Sequence, residues 1–206
     1  PLCARCTGQY LGAVAGLLYL LMRGRVRASE LPPAPVLAVL ALFLGLWAFD
    51  GVNSYLTLFP GMPHLYEPHN ILRVSTGLLQ GFAVISLVWP VFNLTAWAQP
   101  NAQRAIDHVR ELAVLVGVGA LLVLAVQSEV EAILFPLALI SALGALLLLT
   151  LVLTVMALLI LRRANRATHW RHLIMPLALG LASSLTLIAL IDSARAALTR
   201  AWGLPF

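Results

Sequence analysis

Pro1-Leu-Cys3-Ala-Arg5-Cys6-Thr-Gly8-Gln-Tyr-Leu-Gly12-Ala-Val-Ala-Gly16 sets two thiols one helical turn apart at the mouth of an apolar run. Its glycines at 8, 12 and 16 strip one helix face of side chains, so that face can meet a neighbouring helix backbone to backbone. The first helix is therefore expected to be a packing centre, with the rest of the chain as scaffolding around its mouth.

The surrounding 206 residues are 61% hydrophobic and only 10% charged, where a soluble domain carries about a quarter charged residues. Mean hydropathy is +0.95. About 20 apolar residues cross a hydrocarbon core, and the apolar runs allow six crossings. The expected fold is an all-α polytopic transmembrane helix bundle of six membrane-spanning helices in a single integral membrane domain, with no room for a soluble one. All 13 basic residues are arginines, against 8 acidic ones. They cluster beside the ends of apolar runs, which fits positive-inside topology rather than nucleic-acid binding. The chain begins at Pro1 with no basic segment ahead of an apolar one, so the start reads as a trimmed boundary rather than a secretory leader.

Helix 1 is expected over residues 7–22, ending in Arg23, Arg25 and Arg27, with a Pro-rich connector at 31–35. Helix 2, over 36–49, is expected to stop at Asp50-Gly51-Val52-Asn53. Residues 57–70 hold too much Pro and Gly for regular structure, and Asn70 is read as the N-cap of helix 3 over 71–89. Trp89 and Trp97 suit an aromatic belt, and Ala102, Ile106 and Val109 recur at helical spacing as a lead-in to helix 4, which reaches 126. A short turn precedes helix 5 over 132–161, and helix 6 over 172–190 brings Asp192 and Arg195 to the end that carries the thiols. Alternating the loops puts Arg23, Arg25, Arg27, Arg104, Arg110, Arg162, Arg163, Arg166 and Arg171 on one side, and only Arg5, Arg73, Arg195 and Arg200 on the other. Both termini are thus expected outside the cytoplasm, in the inner (plasma) membrane.

That topology gathers Cys3, Arg5, Cys6, Asp50, Asn53, His64, Glu67, His69, Asn70, Arg73, Asp192 and Arg195 at one interface. Polar groups collect at an interface in any membrane protein, yet ionisable groups at membrane depth are costly and tend to be functional. Asp50 and Arg73 are expected to meet as a clamp between helices 2 and 3; the competing reading makes Arg73 and the helix 3 N-terminus an anion seat. The thiols have three readings. Beside Arg5 at a helix N-terminus, Cys3 and Cys6 suit disulfide exchange with a membrane quinone. Alternatively they supply two zinc ligands, completed by His64, His69 or residues upstream. The third reading is a plain disulfide or an inert pair. Gly77 and Gly81 repeat the small-residue spacing of helix 1, so helices 1 and 3 are expected to cross closely with Gln80 between them.

Pro1 to Gly12, then Asp50-Gly51, then Asn70-Ile-Leu-Arg73-Val-Ser-Thr76-Gly77 together resemble the domain of unknown function 2085 family of prokaryotic membrane proteins, over about the first 90 residues. The resemblance implies that Cys3, Arg5, Cys6, Gly8, Tyr10, Gly12, Asp50, Gly51, Asn70, Arg73, Thr76 and Gly77 form one motif set. It also implies a Cys-His segment ahead of the Pro-x-Cys, which this sequence does not include. It transfers no activity, and residues 91–206 add three helices outside it.

The expected function is a non-enzymatic structural or accessory subunit of a membrane complex, embedded in the bilayer beside other membrane subunits, with a polar or zinc-stabilised outer site. The enzyme-class alternative is a quinone-linked thiol-disulfide oxidoreductase using Cys3 and Cys6. A small-molecule transporter needs a polar path through the middle, where Gln80 and a few hydroxyls are the available groups.

Overall fold

Each apolar run folds as a helix. A computed structural model describes residues 3–59, 63 and 65–202, with side chains through Arg200. In chain order its elements are α1 (Ala4–Met22), β1 (Ala28–Glu30), α2 (Ala34–Leu56), α3 (Asn70–Ala96), β2 (Asn101–Arg104), α4 (Val109–Gln127), α5 (Glu131–Ile160) and α6 (Arg171–Trp202).

The glycines do what their spacing predicts. A Cβ at Gly8 would strike the carbonyl oxygen of Val74, and one at Gly12 that of Leu78. In return, Gly77 lies against the Arg5 carbonyl and Gly81 against that of Gln9. Contacts rise together along both helices, so α1 and α3 run parallel, in backbone contact on both sides. Ser141 and Gly144 of α5 lie in the same order against Thr7 and Tyr10, which makes α5 parallel to α1 as well. Gly180 of α6 meets Thr154, and Ser184 meets Thr150, so α6 runs antiparallel to α5. Successive helices therefore alternate in direction.

Five helices, α2 to α6, are long and apolar enough to cross a membrane by length and composition. This corrects the expected six by that measure. The exception is α1, whose 19 residues include Arg5, Gln9 and Tyr10. It lies alongside α3 and α5, so its neighbours shelter polar residues that lipid would not tolerate. At the centre stands α3, with 56% of its most apolar stretch buried against 11% for α6.

Several helix ends depart from expectation. α2 continues through Asp50-Gly51-Val52-Asn53 to Leu56, because Asp50 and Asn53 are buried against partners within the bundle rather than released to water. α3 starts at Asn70, and its N-cap is His69, without a side-chain cap bond. It also passes through Pro90 to Ala96. Proline withdraws one helical hydrogen bond, and this turn is held from outside: Trp89 Nε1 donates to the Arg25 carbonyl at 3.0 Å and Asn93 Nδ2 to the Ala28 carbonyl at 2.9 Å.

The expected helical lead-in to α4 is instead β2, paired in parallel with β1 through Ala28–Asn101 and Glu30–Arg104. Its helical spacing misleads because Ala105 and Ile106 are buried as loop residues. A further bridge joins Trp97 to Ala167. The loops after α1, α3 and α5 are thus tied together at one end of the bundle. α6 extends to Trp202, which keeps Asp192 and Arg195 inside a helix.

Candidate functional site

Cys3 caps α1: its sulfur accepts from the backbone N–H of Cys6 at 3.3 Å, and the Cys6 sulfur lies 2.9 Å away. Both cysteines are free thiols, Cys3 exposed and Cys6 partly covered. Burial pushes the Cys3 thiol up, but hydrogen bonds from the Cys6 thiol and from the Cys6 and Arg5 backbone, together with the Arg5 charge, outweigh it and hold it below the ordinary thiol range. A helix N-terminus favours the thiolate for the same electrostatic reason.

Arg5, in the same first turn as the thiols, reaches α2. There its Nε lies 3.0 Å and its Nη2 2.5 Å from Asp50 Oδ2, while Nη2 also reaches the Asp50 carbonyl at 3.1 Å and Ser54 Oγ at 2.8 Å. The other carboxylate oxygen, Oδ1, accepts from the Tyr66 hydroxyl at 2.8 Å. Thr76 Oγ1 completes the shell, 3.3 Å from Oδ2 and 2.9 Å from the Leu72 carbonyl. Asp50 is 1% exposed, so the carboxylate is buried, with a partner on each oxygen and its charge paired, as a buried charge requires.

Asn53, one turn on, fixes the loop that supplies Tyr66. Its Nδ2 donates to the Tyr66 carbonyl at 2.9 Å and its Oδ1 accepts from the Leu65 N–H at 2.8 Å. Burial first, then donation to Asp50 and the Asp50 charge, push the Tyr66 phenol up to about 12, with Arg5 opposing. The loop is thereby latched onto the ion pair.

The expected Asp50–Arg73 clamp is not formed; Arg5 takes the place assigned to Arg73. The glycine contacts draw the first turn of α1 against α3 and deliver Arg5 to Asp50, while Arg73 sits half-buried with its Nε unpartnered. Asn70 is exposed in the first turn of α3, and Asp192 is exposed on α6, which packs mainly on α5. Neither joins the node. His64 lies outside the described residues. Among the described residues no group of three or more His, Cys, Asp and Glu is placed to hold a metal ion; His64, one of the residues expected to complete a zinc set with Cys3, Cys6 and His69, is not among them.

Beneath the node, two more buried polar atoms lack partners among the described residues: Trp47 Nε1, one turn before Asp50, and Gln80 Oε1, one turn after Thr76.

A second buried charge cluster, at the opposite end, escaped the sequence reading. Arg25, 4% exposed, lies 2.5 Å from Glu111 Oε2, 3.0 Å from Glu111 Oε1 and 2.7 Å from Asp107 Oδ2, and donates to the Ala105 carbonyl at 2.7 Å. The Tyr19 hydroxyl adds a bond to Glu111 at 3.2 Å. Arg25 is thus no free interfacial charge. The signal that was available is the acidic pair Asp107 and Glu111 at helical spacing, set in an arginine-rich end.

Residues 1–87 match the family model described as "Predicted membrane protein (DUF2085)". The family resemblance read from the cysteine, Asp50 and Arg73 motifs is thereby shown over α1, α2 and most of α3. No curated protein and no solved structure matches the chain.

Proposed function

We propose that this integral membrane protein is a non-enzymatic structural or accessory subunit of a membrane complex, inserted in the inner membrane with both termini outside the cytoplasm. The observation that carries this reading is the burial of Asp50, 1% exposed, with one carboxylate oxygen on Arg5 and the other on Tyr66. A carboxylate used in proton transfer or ion passage needs a path to it from water. Asp50 is closed off from water and its two oxygens join α1, α2, α3 and the 65–69 loop, which is the work of a structural lock. The orientation rests on the arginines, nine at the tied-loop end against four at the other. Native mass spectrometry of the protein extracted from its own membranes in mild detergent tests the subunit role. A stoichiometric protein partner added to the 22.2 kDa chain is expected; a chain carrying lipid alone contradicts it.

The thiol geometry supports a second reading, a quinone-linked thiol oxidoreductase. With sulfurs 2.9 Å apart and Cys3 exposed, the dithiol needs little movement to close. Closure releases two electrons and two protons, which reduce a quinone to its quinol. Mixing the reduced protein with a soluble quinone and following quinol absorbance tests this. Turnover that Cys3→Ser abolishes favours the enzyme; no turnover leaves the structural reading standing.

A further inference from the structure

At the tied-loop end, α5 and α6 part around a cavity of about 320 Å³. Leu158, Leu173 and Leu179 line its apolar part, and Arg163, Arg166 and His172 stand at the loop side. We propose that this cavity holds an anionic phospholipid, with its phosphate on Arg163 and Arg166 and an acyl chain laid along the leucines.

Three observations support this occupant. The first is charge. Every acidic side chain at this end is already engaged: Asp107 and Glu111 by Arg25, and Glu30 by Arg104. Arg163 and Arg166 are exposed and neither has an ion pair among the described residues, so both are free to take an anion from outside the chain. The second is depth. Trp170 packs edge-on against Trp97 at 4.7 Å, with the Arg27 guanidinium 3.9 Å from the Trp97 ring centre. Trp97 is buried and holds Trp170, which is 48% exposed; an exposed tryptophan among arginines is the pattern of a bilayer's headgroup level, which on this proposal sets the cavity mouth where phosphates lie. The third is local backbone chemistry. Pro176, which also lines the cavity, has no N–H to give to the carbonyl of His172 four residues earlier, its ordinary helical partner. That carbonyl remains an acceptor for a headgroup hydroxyl. A basic pocket between membrane helices is a recurrent site for anionic headgroups.

The test is native mass spectrometry of the delipidated full chain titrated with phosphatidylglycerol and, separately, phosphatidylcholine. Phosphatidylglycerol should be retained preferentially. Replacing both arginines (Arg163→Gln with Arg166→Gln) should weaken that retention by about 30-fold, from the usual contribution of a basic residue near an anionic surface. Arg163→Lys with Arg166→Lys should keep most of it, which guards against a folding defect. Ala157→Trp, filling the cavity without changing charge, should evict the lipid too. Equal retention of the two lipids would overturn the proposal. So would an equal loss in Arg23→Gln, which lies at the same end but outside the cavity, or full displacement by inorganic phosphate alone.

Discussion

Asp50 holds three chain segments through one carboxylate, accepting from Arg5 of α1, Thr76 of α3 and Tyr66 of the loop between α2 and α3. Removing one member of a buried ion pair strands the other, so Arg5→Gln or Asp50→Asn alone should each cost on the order of 3 kcal/mol, read by thermal unfolding in detergent. The double variant should recover much of that loss, whereas Arg73→Gln should change little. A large loss in Arg73→Gln would return the clamp to Arg73. Tyr66 supplies the pH dependence. Its phenol is raised from 10.0 to about 12, so its stabilising effect is complete below pH 10 and fades as the pH rises toward 12. Absorbance titration should show Tyr66 ionising with that fading, and Tyr66→Phe should remove the effect; loss of stability below pH 10 that depends on Tyr66 would contradict the latch. In the sequence Asp50, Arg5 and Arg73 all stood out. The choice of cation was not legible, because it depends on how closely α1 and α3 approach.

That approach is an element-scale property, and the glycine spacing announced it. Gly12→Leu should overpack the α1–α3 seam and prevent folding or assembly, since a first side-chain atom already meets the Leu78 backbone. Gly45→Leu, where nothing lies within 4 Å, and Leu18→Ala, at a position 54% exposed, should both be tolerated in a thermal-stability comparison. Equal loss at all three positions would make the seam incidental. The sequence revealed the helices through apolar runs but misjudged their ends. Asp50 and Pro90 look like terminators, and each lies within a helix because neighbouring elements supply partners that local sequence does not display. β1 and β2 were not legible either: strands of 3 and 4 residues pair across more than 70 positions of chain and carry no periodicity long enough to read.

Across the whole molecule, two buried charge clusters hold the bundle, Arg5 with Asp50 at one end and Arg25 with Asp107 and Glu111 at the other. Between them α1, α3 and α5 run one way and α2, α4 and α6 the other, so the thiols and the tied loops lie at opposite ends. The account's central claim is that the Cys3–Cys6 dithiol and the Asp50 node face outward while the arginine-rich loops face the cytoplasm. Cys3 and Cys6 are the two cysteines of the chain, which allows a direct measurement. Intact cells making the full-length protein would be treated with a membrane-impermeant maleimide after mild reduction, and labelling compared with that of permeabilised cells. The account predicts labelling of Cys3 in intact cells and its loss in Cys3→Ser; labelling only after permeabilisation would place the thiols inside and contradict the account.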